Sequence, residues 1–215
     1  MNIEICAENI NAAIEAQNAG ADRIELCFDL SVGGISPTME EMIEAKSRLN
    51  ITTNVLLRPR GGDFVFSARE IDEIMTGIET CGQFGFSGVV IGALNSDGTV
   101  NMPVCRQMVE FARKLSLSVT FHRAIDCTSN IFSALEDVIS LGVDRVLTSG
   151  GSEGAFQGAD TIARMVKQAS GRTIIMAGAG VTPDNVVQLI EKTSVTEVHG
   201  SRIAIIRALR CHEQK

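Results

Sequence analysis

Residues 118–148, SVTFHRAIDCTSNIFSALEDVISLGVDRVLT, contain one complete strand–helix–strand unit. Ser118–His122 and Asp144–Thr148 are short runs rich in β-branched and apolar residues, which predicts two buried strands. Between them, Ile131–Leu141 carries apolar residues at helical spacing and stops before Gly142, a residue type common after a helix. Strands joined through a helix pair in parallel with a right-handed crossover. This unit therefore predicts a parallel α/β fold.

The same unit recurs along the whole chain, so that eight strands alternate with eight helices. The predicted strands are Asn2–Cys6, Asp22–Cys27, Thr52–Arg58, Gly88–Gly92, Ser118–His122, Asp144–Thr148, Thr173–Gly178 and Thr196–Gly200. The predicted helices are Ile10–Ala19, Met39–Leu49, Ala68–Phe84, Pro103–Leu115, Ile131–Leu141, Ala159–Ala169, Pro183–Lys192 and Arg202–Arg210. An open doubly wound sheet usually has a glycine-rich first turn, whereas Cys6-Ala7-Glu8-Asn9 has no glycine. The sequence therefore predicts one domain, residues 1–215, with the (β/α)8 TIM-barrel fold.

A short internal repeat precedes the second and sixth strands. Gly20-Ala21-Asp22-Arg23-Ile24 returns as Gly142-Val143-Asp144-Arg145-Val146. These strands are equivalent if the barrel consists of two halves of four units each. The alternative interpretation is that Gly-Ala/Val-Asp is simply a common turn between a helix and a strand.

Composition and charge restrict the function. The formal net charge is -7 and lysine and arginine form no run, so nucleic acid is not an expected partner. No apolar stretch approaches the roughly 20 residues that span a bilayer, and no export signal precedes the first strand, so we expect a cytoplasmic protein that does not bind membranes. The six cysteines show no zinc or disulfide spacing and are expected to be free thiols.

Polar residues occur at strand positions that should face the inside of the barrel. Because strand side chains alternate between two faces, the inward positions are Glu4, Cys6, Glu25, Cys27, Asn54, Leu56, Arg58, Thr120, His122, Glu197 and His199. Buried ions must be paired, and the predicted network joins Glu4, Glu25 and Glu197 to Arg58, Arg60 and Arg123. The network either fills the barrel structurally or forms a site, since barrel enzymes keep their sites at the C-terminal ends of the strands.

The loops after the strands add candidate binding and catalytic residues. Arg58 and Arg60 follow the third strand and could bind an oxyanion, together with the glycine turns at Gly178, Gly180, Gly200 and Ser201 after the last two strands. The candidate catalytic residues, for acid–base work near neutral pH, are His122, Arg123, Asp126, His199 and Glu25. No organic cofactor is predicted.

Two of the cysteines form a candidate metal site. Cys6 and Cys27 end adjacent strands in the same phase, each two residues after an inward glutamate. Two neighbouring thiols can bind a soft monovalent metal such as Cu(I). The alternative is a pair of buried structural thiols.

Several runs in this sequence resemble the CutC copper-homeostasis family. They are Glu4-Ile5-Cys6, Ala21–Cys27, Gly33-Gly34, Arg58-Pro59-Arg60-Gly61-Gly62-Asp63-Phe64, Thr120-Phe121-His122-Arg123-Ala124, Leu147–Gly151 and His199-Gly200-Ser201, in order from end to end of the chain. The resemblance implies a cytoplasmic, commonly dimeric barrel that binds copper, with Cys6 and Cys27 as Cu(I) ligands. It implies a strand-end pocket of Glu25, Arg58, Arg60, His122, Arg123 and His199. An enzyme acting on a small anionic or phosphorylated metabolite remains the alternative, and a scaffold with a structural polar interior is a third hypothesis.

Overall fold

Eight strands and eight longer helices alternate along the chain. The structure is a computed structural model that describes residues 1–213, so the last two residues of the predicted domain lie outside it. The strands are β1 (Asn2–Ala7), β2 (Arg23–Leu26), β3 (Thr53–Leu56), β4 (Gly88–Ile91), β5 (Ser118–Phe121), β6 (Arg145–Thr148), β7 (Ile174–Ala177) and β8 (Glu197–Gly200). The helices are α1 (Ile10–Asn18), α2 (Met39–Arg48), α3 (Ala68–Phe84), α4 (Met102–Lys114), α5 (Ile131–Ser140), α6 (Ala159–Ala169), α7 (Val186–Thr193) and α8 (Ala204–Glu213). Two 3-10 helices, Leu30–Val32 and Arg123–Cys127, were not predicted.

The strands form a closed parallel barrel in chain order, and β1 pairs with β8 to complete it. The predicted fold is therefore confirmed. Parallel register places Glu4 beside Arg23 and Cys6 beside Glu25 on the first two strands. Because paired residues point to the same side of a sheet, these four side chains share the inner face.

Side-chain caps fix where most of the helices begin. The hydroxyls of Thr38 and Ser67 each accept from the backbone N–H three residues on. In return, the carboxylates of Glu41 and Glu70 accept from the backbone N–H of the cap residue. The seventh helix was predicted to begin at Pro183 but begins at Val186. The Asn185 side chain accepts from the Thr182 N–H (2.9 Å) and donates to the Gly180 carbonyl (2.9 Å), which holds this segment as a turn.

Two apolar layers surround and fill the barrel. The larger lies between strands and helices and contains the outward residues of every strand, such as Ile5 and Val146. A small inner cluster contains Cys6, Cys27, Leu56 and Val90. Within residues 1–213, no helix is both long enough and apolar enough to cross a membrane.

Candidate functional site

A pocket of about 550 Å³ opens at the C-terminal ends of the strands. Its walls include side chains from six strand ends: Cys6, Glu25, Leu56, His122, Leu147 and His199. The loops after β3, β7 and β8 complete the walls with Arg58, Phe64, Gly180 and Ser201 among others. The pocket therefore occupies the face of the barrel where the sequence predicted a site.

The two predicted metal ligands lie together at this pocket. The Sγ atoms of Cys6 and Cys27 are 2.8 Å apart, and both thiols are buried and free. Cys6 lines the pocket, while Cys27 lies in the inner cluster with its thiol 3.5 Å from the Ala7 carbonyl. The hydrogen bond with Cys27, burial and the nearby charge of Glu25 raise the pKa of Cys6, so Cys6 is a neutral thiol without a metal. The predicted approach of the two inward thiols is confirmed.

Glu25 extends this cluster toward the centre of the barrel. Its Oε1 lies 3.4 Å from the Cys6 sulfur, and its Oε2 is buried without a partner among the described residues. Burial, with a contribution from the charge of Glu4, raises the pKa of Glu25 to about 7. Ligand atoms of Cys6, Cys27 and Glu25 lie within 4.8 Å of one another, close enough to hold one metal ion.

His199 and Glu4 form a buried ion pair beside Glu25. His199 Nδ1 lies 2.8 Å from Glu4 Oε1. Burial alone would raise the pKa of Glu4, but His199 and Arg23 lower it to about 2. Burial lowers the pKa of His199, but the carboxylates of Glu25 and Glu4 outweigh burial and raise it. Glu4 is thus ionised and His199 carries a proton more readily than a free histidine.

The predicted pairing of the inner carboxylates was wrong. Arg23, not Arg58, Arg60 or Arg123, forms ion pairs with both Glu4 and Glu197. Arg145 adds a second ion pair to Glu197, with Nε 2.8 Å from Oε2. Arg23 and Arg145 lie inside the barrel, whereas the three predicted arginines follow strand ends and reach only the pocket or its rim.

The internal repeat contained the signal for these two arginines. Arg23 and Arg145 are the corresponding residues of its two copies, at the first positions of β2 and β6. Their side chains meet on one carboxylate, Glu197. Neither arginine was among the positions predicted to face the inside of the barrel.

The side chain of Arg58 lies in the wall of the pocket, whereas that of Arg60 lies at the rim. Arg58 lines the pocket, and its guanidinium donates to the carbonyls of Val32, Gly34 and Gly62. Arg60 instead pairs with Glu70 (2.6 Å) and Asp63 (3.0 Å) at the rim. The structure therefore does not bring Arg60 into the pocket, because two carboxylates outside it hold the guanidinium.

His122 lines the pocket as a neutral ring. Its Nδ1 accepts from the Ala124 N–H at 3.3 Å, and its Nε2 is buried without a partner among residues 1–213. Burial, reinforced by the positive charge of Arg58, lowers the pKa of His122 to about 3. The expectation of a group that titrates near neutral pH was wrong for His122, because the buried imidazolium would lie unpaired beside a cation.

Asp126 organises the loop that follows β6. Its carboxylate accepts from the backbone N–H groups of Ser149 (2.9 Å) and Gly151 (3.0 Å) and pairs with Arg123 (3.0 Å). Arg123 lines the pocket and also donates to the Ser149 hydroxyl. Asp126 thus uses its oxygens within the loop, and only Arg123 of this pair reaches the pocket.

Three of the four turn residues that were predicted to bind an anion line the pocket, and the fourth does not. Gly180, Gly200 and Ser201 line the pocket. The Gly178 N–H donates to the Thr148 carbonyl, and a Cβ at Gly178 would lie 2.5 Å from the Leu147 side chain. Gly178 therefore permits close packing of the wall and has no free donor for an anion, which corrects its predicted role.

Comparison with known proteins places the chain among relatives over nearly its whole length. Residues 1–204 match the profile described as the CutC family. A CutC family protein of Xylella fastidiosa (strain 9a5c) is 45% identical over 208 residues, covering 97% of this chain and 77% of the relative.

Solved structures give the same relationship. The putative copper homeostasis protein CutC from Streptococcus agalactiae superposes with a TM-score of 0.88 at 30% identity, covering 94% of this chain and 99% of that one. Deoxyribose phosphate aldolase from Aeropyrum pernix superposes with a TM-score of 0.69 at 12% identity, covering 100% and 90% of the two chains. The second similarity shows the barrel fold alone.

Proposed function

This chain belongs to the CutC family, and from that membership we propose that it is a cytoplasmic copper-homeostasis protein that binds Cu(I) through Cys6 and Cys27. The observation that carries the proposal is the 2.8 Å separation of two buried free thiols at the pocket. Thiolates are the ligands that Cu(I) prefers. The free state of all six cysteines agrees with a reducing compartment.

The cluster contains a third metal ligand, and the pocket gives an ion access to the two thiols. Glu25 adds a carboxylate within 4.8 Å of both sulfur atoms. Cys6 faces the pocket, so an ion can enter from the mouth of the barrel and reach Cys27 behind it. Because thiolate is the binding form, the metal must displace the thiol proton of Cys6.

The experiment is an anaerobic Cu(I) titration against a competing chelator. We expect the reduced protein to bind about one Cu(I) per chain and the Cys6→Ala/Cys27→Ala variant to lose this binding. The matched control is Cys81→Ala/Cys105→Ala, which removes two buried thiols of α3 and α4 that do not line the pocket. If folded Cys6→Ala/Cys27→Ala binds Cu(I) with unchanged stoichiometry and affinity, the proposal is wrong.

A second candidate function is an enzyme that acts on a small anionic or phosphorylated metabolite. The observation that favours it is the size of the pocket, about 550 Å³, which far exceeds the needs of one ion. Glu25 and His199 would then replace His122 and Asp126 as the acid–base groups, with Arg123 at the mouth. Conversion of a phosphorylated compound by the copper-free protein tests this candidate.

We further propose that the protein forms a homodimer, as the family resemblance implies. Large exposed hydrophobic side chains support it, because all those that the described residues contain fall within one third of the chain: Phe28, Val32, Met39, Ile43 and Val65. We call them the 28–65 patch. Exposed apolar side chains that form a continuous surface are typical of a site that binds a protein, and we propose that these five form one.

A further inference from the structure

We propose that the pocket binds a small phosphorylated metabolite, with Arg58 and His122 as buried donors and the turns after β7 and β8 as a second set of donors. The inference does not depend on copper binding, because it uses none of the thiols. It also does not require that the bound molecule react.

Arg58 is a buried cation that has no carboxylate partner in the part of the chain that the structure describes. Only 5% of the residue is exposed, and its guanidinium forms no ion pair among residues 1–213. Three of its donors meet carbonyl oxygens, the ring of Phe64 lies 4.5 Å from its Cζ, and its Nε remains unpaired. A buried charge is costly unless an opposite charge approaches it. An anion in the pocket would supply that charge.

His122 presents a second unpaired donor beside the first. Because Nδ1 accepts from the Ala124 N–H, the proton of the neutral ring belongs on Nε2, which has no partner among the described residues. The ring lies 4.8 Å from Phe64, the same side chain that Arg58 covers. A Cβ at Gly92 would meet the ring at 2.7 Å, so the imidazole is closely held.

Two neighbouring donors cannot satisfy each other. Arg58 Nε–H and the Nε2–H of His122 both require an acceptor, and the buried polar groups of proteins normally have one. Since Arg58 is charged, the acceptor that stabilises the pair best is an anionic oxygen.

The opposite wall offers backbone donors. The N–H groups of Gly180, Ser201 and Arg202 make no hydrogen bond to another described residue, and all three residues line the pocket. Ser201 and Arg202 lie directly before α8, where the helix dipole favours an anion, and Gly180 lies in the turn that leads to α7. Arg202 adds an exposed guanidinium at the mouth. Donors on two walls fit a molecule with a phosphate and a second oxygen acceptor better than a lone ion.

The test measures binding of inorganic phosphate and glycerol 3-phosphate by thermal shift and calorimetry, with glycerol and chloride at equal ionic strength as controls. We expect saturable binding of both phosphates and tighter binding of glycerol 3-phosphate. Arg202→Ala should weaken the affinity about tenfold, as should His122→Asn, whose amide oxygen can still accept from the Ala124 N–H. Arg207→Ala, an exposed arginine of α8 outside the pocket, is the matched control and should bind normally.

Three outcomes would overturn the proposal. One is the absence of saturable binding in the parent protein. Another is normal binding in Arg202→Ala, which keeps the test decisive even if His122→Asn does not fold. Equal affinity for inorganic phosphate and glycerol 3-phosphate would reject an organic ligand. The Cys6→Ala/Cys27→Ala variant should retain phosphate binding, so failure of the copper proposal and failure of this one are distinguishable.

Discussion

At the scale of single residues, environment decides the chemistry of the two histidines at the strand ends. His199 lies against Glu4 and near Glu25, which raise its pKa, whereas His122 lies near Arg58 and is held neutral. Strand phase alone predicted that both rings face inward. It could not predict their charge, because the neighbours of each ring come from strands and loops far away in the sequence.

His122 should give the free energy of unfolding a pH dependence that is absent from an exposed histidine. Its pKa is about 3 when folded and 6.5 when unperturbed. The unfolded chain therefore binds a proton first, and the stability present above pH 6.5 falls as the pH drops toward 3, by up to about 1.4 kcal/mol per pH unit. His122→Asn should remove this loss, as measured by urea unfolding of the metal-free protein between pH 7 and 4.

The control for that measurement is His212→Asn, which changes an exposed histidine of α8. It should keep the acid dependence of the parent protein. Carboxylates also titrate in this range, but they are common to all three proteins and cancel in the differences. A His122→Asn variant with the parent's pH profile would show that His122 is not held neutral.

At the scale of elements, the network of Arg23 joins the strands that close the barrel. Arg23 on β2 binds Glu4 on β1 and Glu197 on β8, and Arg145 reaches the same Glu197 from β6. The alternation of strands and helices was predictable because each element carries its own periodicity. These pairs were not, because they join residues up to 174 positions apart and neither Arg23 nor Arg145 was among the candidate cations.

Loss of Arg23 should therefore be severe. Arg23→Met keeps much of the side-chain volume but removes one ion pair from each of two buried carboxylates, leaving Glu4 with His199 and Glu197 with Arg145. This loss should lower the free energy of unfolding by about 3 kcal/mol. Arg172→Met is the control, since Arg172 forms a solvent-exposed pair with Glu136 and should matter little. Denaturant unfolding at neutral pH measures both. Similar small losses in the two variants would contradict a structural role for the inner network.

At the scale of the whole molecule, a parallel barrel brings all strand C-termini to one mouth. That rule was enough to predict from the sequence that Cys6, Glu25, His122 and His199 share a pocket, and the structure places all four there. The rule predicted the same location for Arg58 and Arg60, which are two residues apart. It could not predict that only one reaches the pocket, because the direction of a loop side chain depends on its partners. Asp63 and Glu70 hold Arg60 at the rim, while carbonyls hold Arg58 inside.

The 28–65 patch makes a prediction about the whole assembly. Burying these side chains between two copies would remove apolar surface from water. Light scattering after gel filtration should therefore give the mass of a dimer. Each copy carries a net charge of -7, so the dimer should strengthen as salt screens the repulsion. Ile43, 54% exposed, lies within the patch, and Ile43→Glu would bring a further negative charge into the contact.

Ile43→Glu should therefore shift the protein to the mass of one chain without changing its secondary structure. Gln188→Glu adds the same charge to an exposed position of α7, outside the patch, and should leave the dimer intact. If both variants dissociate, net repulsion rather than the patch governs assembly. If Ile43→Glu remains dimeric at low salt, the two copies meet through another surface, since a buried and unpaired carboxylate in an apolar contact would cost several kcal/mol.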